Sequence, residues 1–183
     1  MDQRIHRKIE GAKMKFLILG LLIVSSPLMA QHNHHESGSH ESIKRKAIDS
    51  KDKEQIIEIL KKNDLLFNAF LKKEGGSIEK NAKDLLALIS KSQNPLLKEA
   101  KVQASSLAKI KSSNSNESNL QAYESFLNPL IKVVQANDIG GKYNIYSCPM
   151  VKKSWIQNTD VNKDVKNVYA MDMLECGTKD TQF

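Results

Sequence analysis

The chain has 183 residues, a formal net charge of +7, 5% aromatic residues and two cysteines. Without a targeting segment of about 30 residues, it has the usual size of one domain, which buries a core without needing disulfides. Glycine (8) and proline (4) are scarce, which favours helices over a β-sandwich. Five basic and two acidic residues lie in residues 1–30, which leaves a net charge of +4 on the rest. No basic stripe alternates with aromatic residues, so we do not expect nucleic-acid binding.

Residues 1–30 are predicted to be a signal peptide. Lys13, Met14 and Lys15 precede an apolar run over residues 16–24 that is too short for a comfortable membrane span, and Ala30 provides a small residue at the expected cleavage site. Met14 is the expected true start. No cysteine lies at the cleavage site to carry a lipid anchor. We therefore expect an exported, periplasmic bacterial protein without a membrane span after cleavage; the alternative is an uncleaved anchor.

Residues 31–49 are predicted to be a disordered tail, because they show no apolar periodicity. The tail carries closely spaced imidazoles at His32, His34, His35 and His40. Such a segment binds Cu(II), Zn or Ni loosely. The alternative is a tail that only adds solubility.

Residues 50–139 are predicted to form an up-down four-helix bundle, so the fold class is mostly α. The expected helices cover residues 52–71, 78–90, 94–108 and 120–136. Gly75-Gly76 should end the first helix, Ser77 should cap the second, and Asn94-Pro95 should start the third. Pro129 should kink or split the fourth. This part contains no histidine and no nucleophile motif, so we do not expect an enzyme.

Residues 140–183 differ from the rest and are predicted to form a small irregular or β-hairpin segment packed on the bundle. They hold both cysteines, the only tryptophan (Trp155) and every methionine beyond residue 30. The sulfur-bearing residues are Cys148, Met150, Met171, Met173 and Cys176. Residues two apart in a strand point to the same side, so two paired extended runs would bring these sulfur atoms together. Thiolate and thioether are soft ligands that select Cu(I), and Ag(I) should behave similarly.

Simpler explanations compete with a metal site. Cys148 and Cys176 can form a structural disulfide, which an oxidising compartment permits. Met171 and Met173 can be ordinary core residues, and Trp155 is expected to be a core anchor, although an indole beside the metal site would also fit. A disulfide and a metal site are also compatible, if the oxidised pair is a resting form that must be reduced before thiolates bind metal.

The sulfur runs belong to a wider pattern. Residues 146–150 read YSCPM, residues 155–157 read WIQ, residues 167–169 read NVY and residues 173–177 read MLECG. This pattern resembles the C-terminal signature of domain of unknown function 3347, and the helices from about residue 50 are also similar. Val168 stands where the family has proline, the spacing before Met173 is about one residue shorter, and Met171 is an additional sulfur.

Members of that family are exported proteins or domains joined to periplasmic adaptors of heavy-metal efflux systems. The resemblance implies copper or silver handling, with Cys148, Met150, Met173 and Cys176 as ligands, Met171 in reserve and Trp155 as the aromatic residue near the site. The leading hypothesis is thus a periplasmic Cu(I)- or Ag(I)-binding protein that sequesters the ion or passes it to an efflux component. The alternative is a helical protein-interaction module stabilised by a Cys148–Cys176 disulfide.

Overall fold

The computed structural model describes residues 44–183, which contain four α-helices followed by a small antiparallel sheet. The helices are α1 (Ser50–Leu71), α2 (Gly75–Lys91), α3 (Lys98–Gln103) and α4 (Asn116–Ala136). The strands are β1 (Tyr143–Cys148), β2 (Lys153–Asn158) and β3 (Thr178–Lys179). One apolar core joins the helices to the sheet. The prediction of a mostly helical chain with a small C-terminal hairpin is confirmed.

The connection between α1 and α2 differs from its prediction. Lys73 adopts a left-handed backbone (φ 57°), and the amides of Lys73 and Glu74 donate to the carbonyl oxygens of Phe70 and Ala69 over 3.1 Å each. This is a Schellman motif with lysine at the position that usually holds glycine. Gly75 and Gly76 therefore do not end α1; they form the first turn of α2, and Ser77 is not its cap.

The region predicted as the third helix is irregular. Asn94 caps its start through a 2.9 Å hydrogen bond from the Leu96 amide, as expected. The six-residue α3 then stands between two 3-10 helices, Pro95–Leu97 and Ala104–Lys109. The structure therefore does not confirm an up-down four-helix bundle.

Helix α4 begins earlier than predicted and continues through its proline. The Ser115 hydroxyl accepts from the Ser118 amide over 3.2 Å and caps the helix at Asn116 rather than Leu120. Pro129 lies inside the helix without splitting it. Within residues 44–183 no helix is both long enough and apolar enough to cross a bilayer.

The sheet has the order β2-β1-β3, with β1 in the centre and both neighbours antiparallel to it. Strands β1 and β2 form a hairpin in which Tyr143 pairs with Asn158 and Cys148 pairs with Lys153. Its turn contains Lys152 in a left-handed conformation (φ 53°). Both strands of the hairpin pack against α4, so the hairpin end that carries Cys148 is fixed relative to the helices.

The last residues of the predicted 31–49 tail contact this folded part. Lys46 forms a parallel bridge with Asn137, directly after α4. The Arg45 guanidinium donates to the carbonyl oxygen of Gly140 over 3.0 Å and stacks 3.7 Å from the centre of the Phe183 ring. The four tail histidines and the predicted signal peptide lie outside the described residues.

Candidate functional site

Cys148 and Cys176 are joined by a disulfide, with their Cα atoms 6.0 Å apart. Cys148 is the last residue of β1 and is only 1% exposed. Cys176 lies in the loop before β3 and is partly exposed. Among residues 44–183 there is no free cysteine. The two sulfur-bearing runs of the sequence are therefore connected covalently at one end of the sheet.

Met150 adds a third sulfur atom to this end. It lies in the turn after β1, its side chain is 69% exposed, and its Sδ lies 3.7 Å from the Sγ of Cys176. Met173 lies in the turn that leads to Cys176, whose amide donates to the Met173 carbonyl oxygen over 2.8 Å. Its side chain is 45% exposed, so neither methionine is a core residue.

Met171 is placed differently. Its side chain helps to line two clefts that also share Asn116, at the start of α4, with volumes of about 430 Å³ and 450 Å³. The expected pairing of two extended runs is wrong, because residues 171–175 form turns instead of a strand. Met171 and Met173 therefore do not lie on one side of a strand. The sulfur cluster comprises Cys148, Met150 and Cys176, with Met173 in the adjoining turn.

The loop over residues 159–177, here called the C-terminal loop, is held by two buried amide side chains. Asn167 donates to the Cys176 carbonyl oxygen over 2.8 Å and accepts from the Tyr169 amide over 2.9 Å. The backbone amide of Asn167 donates to the Leu174 carbonyl oxygen over 2.7 Å. Gln157 on β2 donates to the Asn162 and Asp164 carbonyl oxygens over 2.9 and 2.7 Å. These bonds position Cys176 independently of the disulfide.

Gly177 allows the loop to pass close to the sheet. It has a φ of +150°, and a Cβ there would lie 2.7 Å from Cη2 of Trp155 and 2.9 Å from the Ser147 carbonyl oxygen. Trp155 is fully buried, and its ring stacks on Tyr146 with centres 6.0 Å apart. The predicted core role of Trp155 is confirmed, and its ring also supports the backbone next to Cys176.

An ion pair fixes the same end of the sheet to α4. The Lys153 ammonium lies 2.7 and 2.9 Å from the two carboxylate oxygens of Glu124, and both side chains are partly buried. Because Lys153 pairs with Cys148 across the hairpin, this contact restrains the strand that carries the buried sulfur. Glu124 also adds to the effect of burial in raising the pKa of Tyr169, whose hydroxyl is buried.

A buried acid that sequence analysis did not identify lies on α1, against the far end of the hairpin. The Asp64 carboxylate on α1 accepts from the Asn158 side-chain amide over 2.9 Å. Burial raises its pKa to about 6, and hydrogen bonds from Asn158 and Tyr143 offset part of that effect. No periodicity signals such a residue, since Asp64 occupies an ordinary position within an amphipathic helix. It anchors the sheet to α1 rather than joining the sulfur cluster.

The donor atoms at the sulfur cluster fit a soft ion only after reduction. In residues 44–183, no group of three or more His, Cys, Asp or Glu side chains that could hold a metal ion is found. The side-chain atoms that meet at the cluster are the sulfur atoms of Cys148, Cys176 and Met150. A disulfide lacks the thiolate charge that binds metal. Two-electron reduction would produce two thiols beside the Met150 thioether, which is a donor set suited to Cu(I) and unsuited to Mg or Ca.

Comparison with family models, curated proteins and solved structures finds no match for this chain. The resemblance to domain of unknown function 3347 stays a prediction, based on the residues quoted for it. The structure assigns several of those residues, including Trp155, Gln157, Asn167 and Gly177, to the framework that brings Cys176 to Cys148.

Proposed function

We propose that this chain is a periplasmic protein that binds a soft metal ion, Cu(I) or Ag(I), at the sulfur cluster in its reduced form. The observation that carries the proposal is the 3.7 Å approach of Met150 Sδ to Cys176 Sγ, next to the bonded Cys148 sulfur. A structural disulfide needs only two cysteines. It gives no reason for an exposed methionine to lie against it.

Softness and exposure support this choice of ion. Thioether sulfur binds Cu(I) and Ag(I) well and binds hard cations poorly. Met150 and Met173 are the most exposed of the sulfur-bearing side chains, so an ion would approach them from solvent. Cys148, Cys176 and Met150 are the proposed ligands, Met173 is the fourth, and Met171 is the reserve.

The cellular role is proposed from the sequence. The predicted signal peptide in residues 1–30 implies export, and the family resemblance implies sequestration of the ion or delivery to an efflux adaptor or pump. The histidines of the tail would form a weaker site for Cu(II) or Zn.

For the fold, we propose an up-down bundle in which residues 95–109 form an irregular third member, because they contact both α2 and α4.

One observation favours the second candidate, a protein-interaction module of the cell envelope. The Cys148–Cys176 bond is present, and it closes a loop between residues 28 apart in sequence. Closing such a loop stabilises the fold by about 3–4 kcal/mol in the chain-entropy model. This candidate requires neither reduction nor metal.

A competition titration separates the two candidates. The reduced full-length chain, with its four tail histidines changed to asparagine, is titrated with Cu(I) against a colorimetric Cu(I) chelator. The proposal predicts one bound ion per chain. The Cys148→Ser, Cys176→Ser double variant should lose it, and unchanged binding in that variant would remove the sulfur cluster as the site.

A matched pair of variants tests the methionine assignment. Met150→Leu removes the thioether beside Cys176 and should weaken Cu(I) binding by about tenfold or more, equivalent to about 1.4 kcal/mol. Met171→Leu makes the same chemical change in the clefts beside α4 and should leave the affinity nearly unchanged. Equal effects of the two variants would contradict the placement of the site.

A further inference from the structure

The two cysteines of the disulfide differ in exposure. Cys148 is 1% exposed and lies at the end of the central strand. Cys176 is partly exposed and lies in the C-terminal loop beside the exposed Met150. Thiol–disulfide exchange requires an incoming thiolate to reach one of the two sulfur atoms. Access therefore selects Cys176 as the point of attack and Cys148 as the leaving group.

The framework around Cys176 does not depend on the disulfide. On one side, the Asn167 side chain holds the Cys176 carbonyl oxygen. On the other side, β3 pairs with β1, since Thr178 and Lys179 lie opposite Ser147 and Tyr146. The Asp180 amide also donates to the Ile145 carbonyl oxygen over 2.8 Å. After the S–S bond opens, these contacts keep the two thiols close together.

We propose that the Cys148–Cys176 bond is a redox gate, opened by a dithiol reductant that attacks Cys176, and that the gate controls the metal site. This inference rests on the proposed function for its purpose. Its chemistry, namely the identity of the attacked sulfur and the survival of the fold after reduction, is independent of any metal.

The exchange proceeds in two balanced steps. A thiolate of the dithiol forms a bond to Cys176 Sγ while the bond to Cys148 Sγ breaks, and the electron pair leaves on Cys148, which takes up a proton from solvent. The second thiol of the reductant then loses its proton and attacks the first reductant sulfur, which is bonded to Cys176 in the mixed disulfide. This attack releases Cys176 as a thiolate. The protein gains two electrons and the dithiol is oxidised to a disulfide.

Trapping of the mixed disulfide tests the point of attack. The oxidised full-length chain is mixed with a Cys-x-x-Cys reductase whose second cysteine is replaced by serine. The reaction is quenched with acid, the released thiol is blocked with a maleimide, and peptides are mapped by mass spectrometry. We expect the reductase on Cys176 and the maleimide on Cys148. The reverse pattern, or an equal mixture, would overturn the assignment.

Unfolding of the reduced chain tests the second half of the proposal. The reduced protein and the Cys148→Ser, Cys176→Ser variant should both unfold cooperatively in urea at a lower midpoint than the oxidised protein. Loss of cooperative unfolding would show that the bond is a structural staple and would overturn the gate.

A control variant keeps this proposal separate from the function. Met150→Leu should keep the same trapping pattern while it weakens Cu(I) binding. If the oxidised wild-type chain is trapped at Cys176 but its reduced form binds no Cu(I), the proposed function fails and the exchange site stands. If the reductase is found on Cys148, the exchange site fails whatever the metal does.

Discussion

Changing Asp64 to asparagine should stabilise the protein at neutral pH, by an amount that depends on pH. Burial raises the pKa of Asp64 from 3.8 to about 6, so the folded state holds a proton that the unfolded state has lost over this range. A shift of about two units corresponds to about 3 kcal/mol at about 1.4 kcal/mol per unit. Stability linked to this group is therefore full below pH 4 and is lost as the pH rises through about 6.

The assay compares urea unfolding of the wild-type protein and Asp64→Asn from pH 3.5 to 8. An asparagine carries no charge, so it avoids the cost of burying a carboxylate, and its side-chain oxygen can still accept from Asn158. The difference in unfolding free energy between variant and wild type should rise by about 3 kcal/mol between pH 4 and pH 7 and then level off.

A matched control comes from an exposed acid. Glu58 lies on the solvent-facing side of the same helix, and Glu58→Gln makes the same loss of a carboxylate charge at an exposed position. A flat difference for Asp64→Asn, or one that falls as the pH rises, would refute the reasoning that burial dominates at this carboxylate.

Three further predictions concern the backbone. Gly140→Ala places a side chain at a φ of +94° in open space and should lower the unfolding free energy by about 1–2 kcal/mol, measured by urea unfolding. Gly177→Ala also brings a Cβ against Trp155 and should cost about 1–3 kcal/mol more. Equal losses in the two variants would contradict the close approach of Gly177 to Trp155. Lys73→Gly should raise the unfolding free energy by about 1 kcal/mol because it relieves a left-handed backbone, and a loss of stability would contradict the Schellman assignment. Asn167→Ala leaves the Cys176 carbonyl oxygen and the Tyr169 amide without their side-chain partner, so it should lower the unfolding free energy by about 2–4 kcal/mol. It should also speed reduction of the disulfide by dithiothreitol. An unchanged reduction rate would contradict the role of Asn167 in holding Cys176 in place.

The sequence was sufficient to predict the elements that have strong local signals. Apolar periodicity predicted α1, α2 and α4 within a few residues, and the Asn94-Pro95 pair predicted the start of the next helical region. Boundaries failed where tertiary contacts outweigh local preference. Leu65 is an apolar residue within the helix predicted over residues 52–71, but it is half exposed. Lys73 takes a conformation for which glycine is the usual signal.

The site could be predicted only in part. The clustering of sulfur in residues 148–176 identified the residues that come together, and the structure brings Cys148, Met150 and Cys176 into one cluster. The relative position of Met171 depends on how the C-terminal loop folds, and that depends on buried hydrogen bonds of Gln157 and Asn167 between distant residues. Such contacts leave no periodic signal in a single sequence.

The most direct test of the central claim is X-ray absorption spectroscopy at the copper edge on the reduced full-length protein loaded with one equivalent of Cu(I). The proposed site predicts a first coordination shell of sulfur alone, which changes when Met150 is replaced by leucine. A shell of nitrogen or oxygen, or a sulfur shell that survives in the Cys148→Ser, Cys176→Ser variant, would place the ion elsewhere and contradict the account.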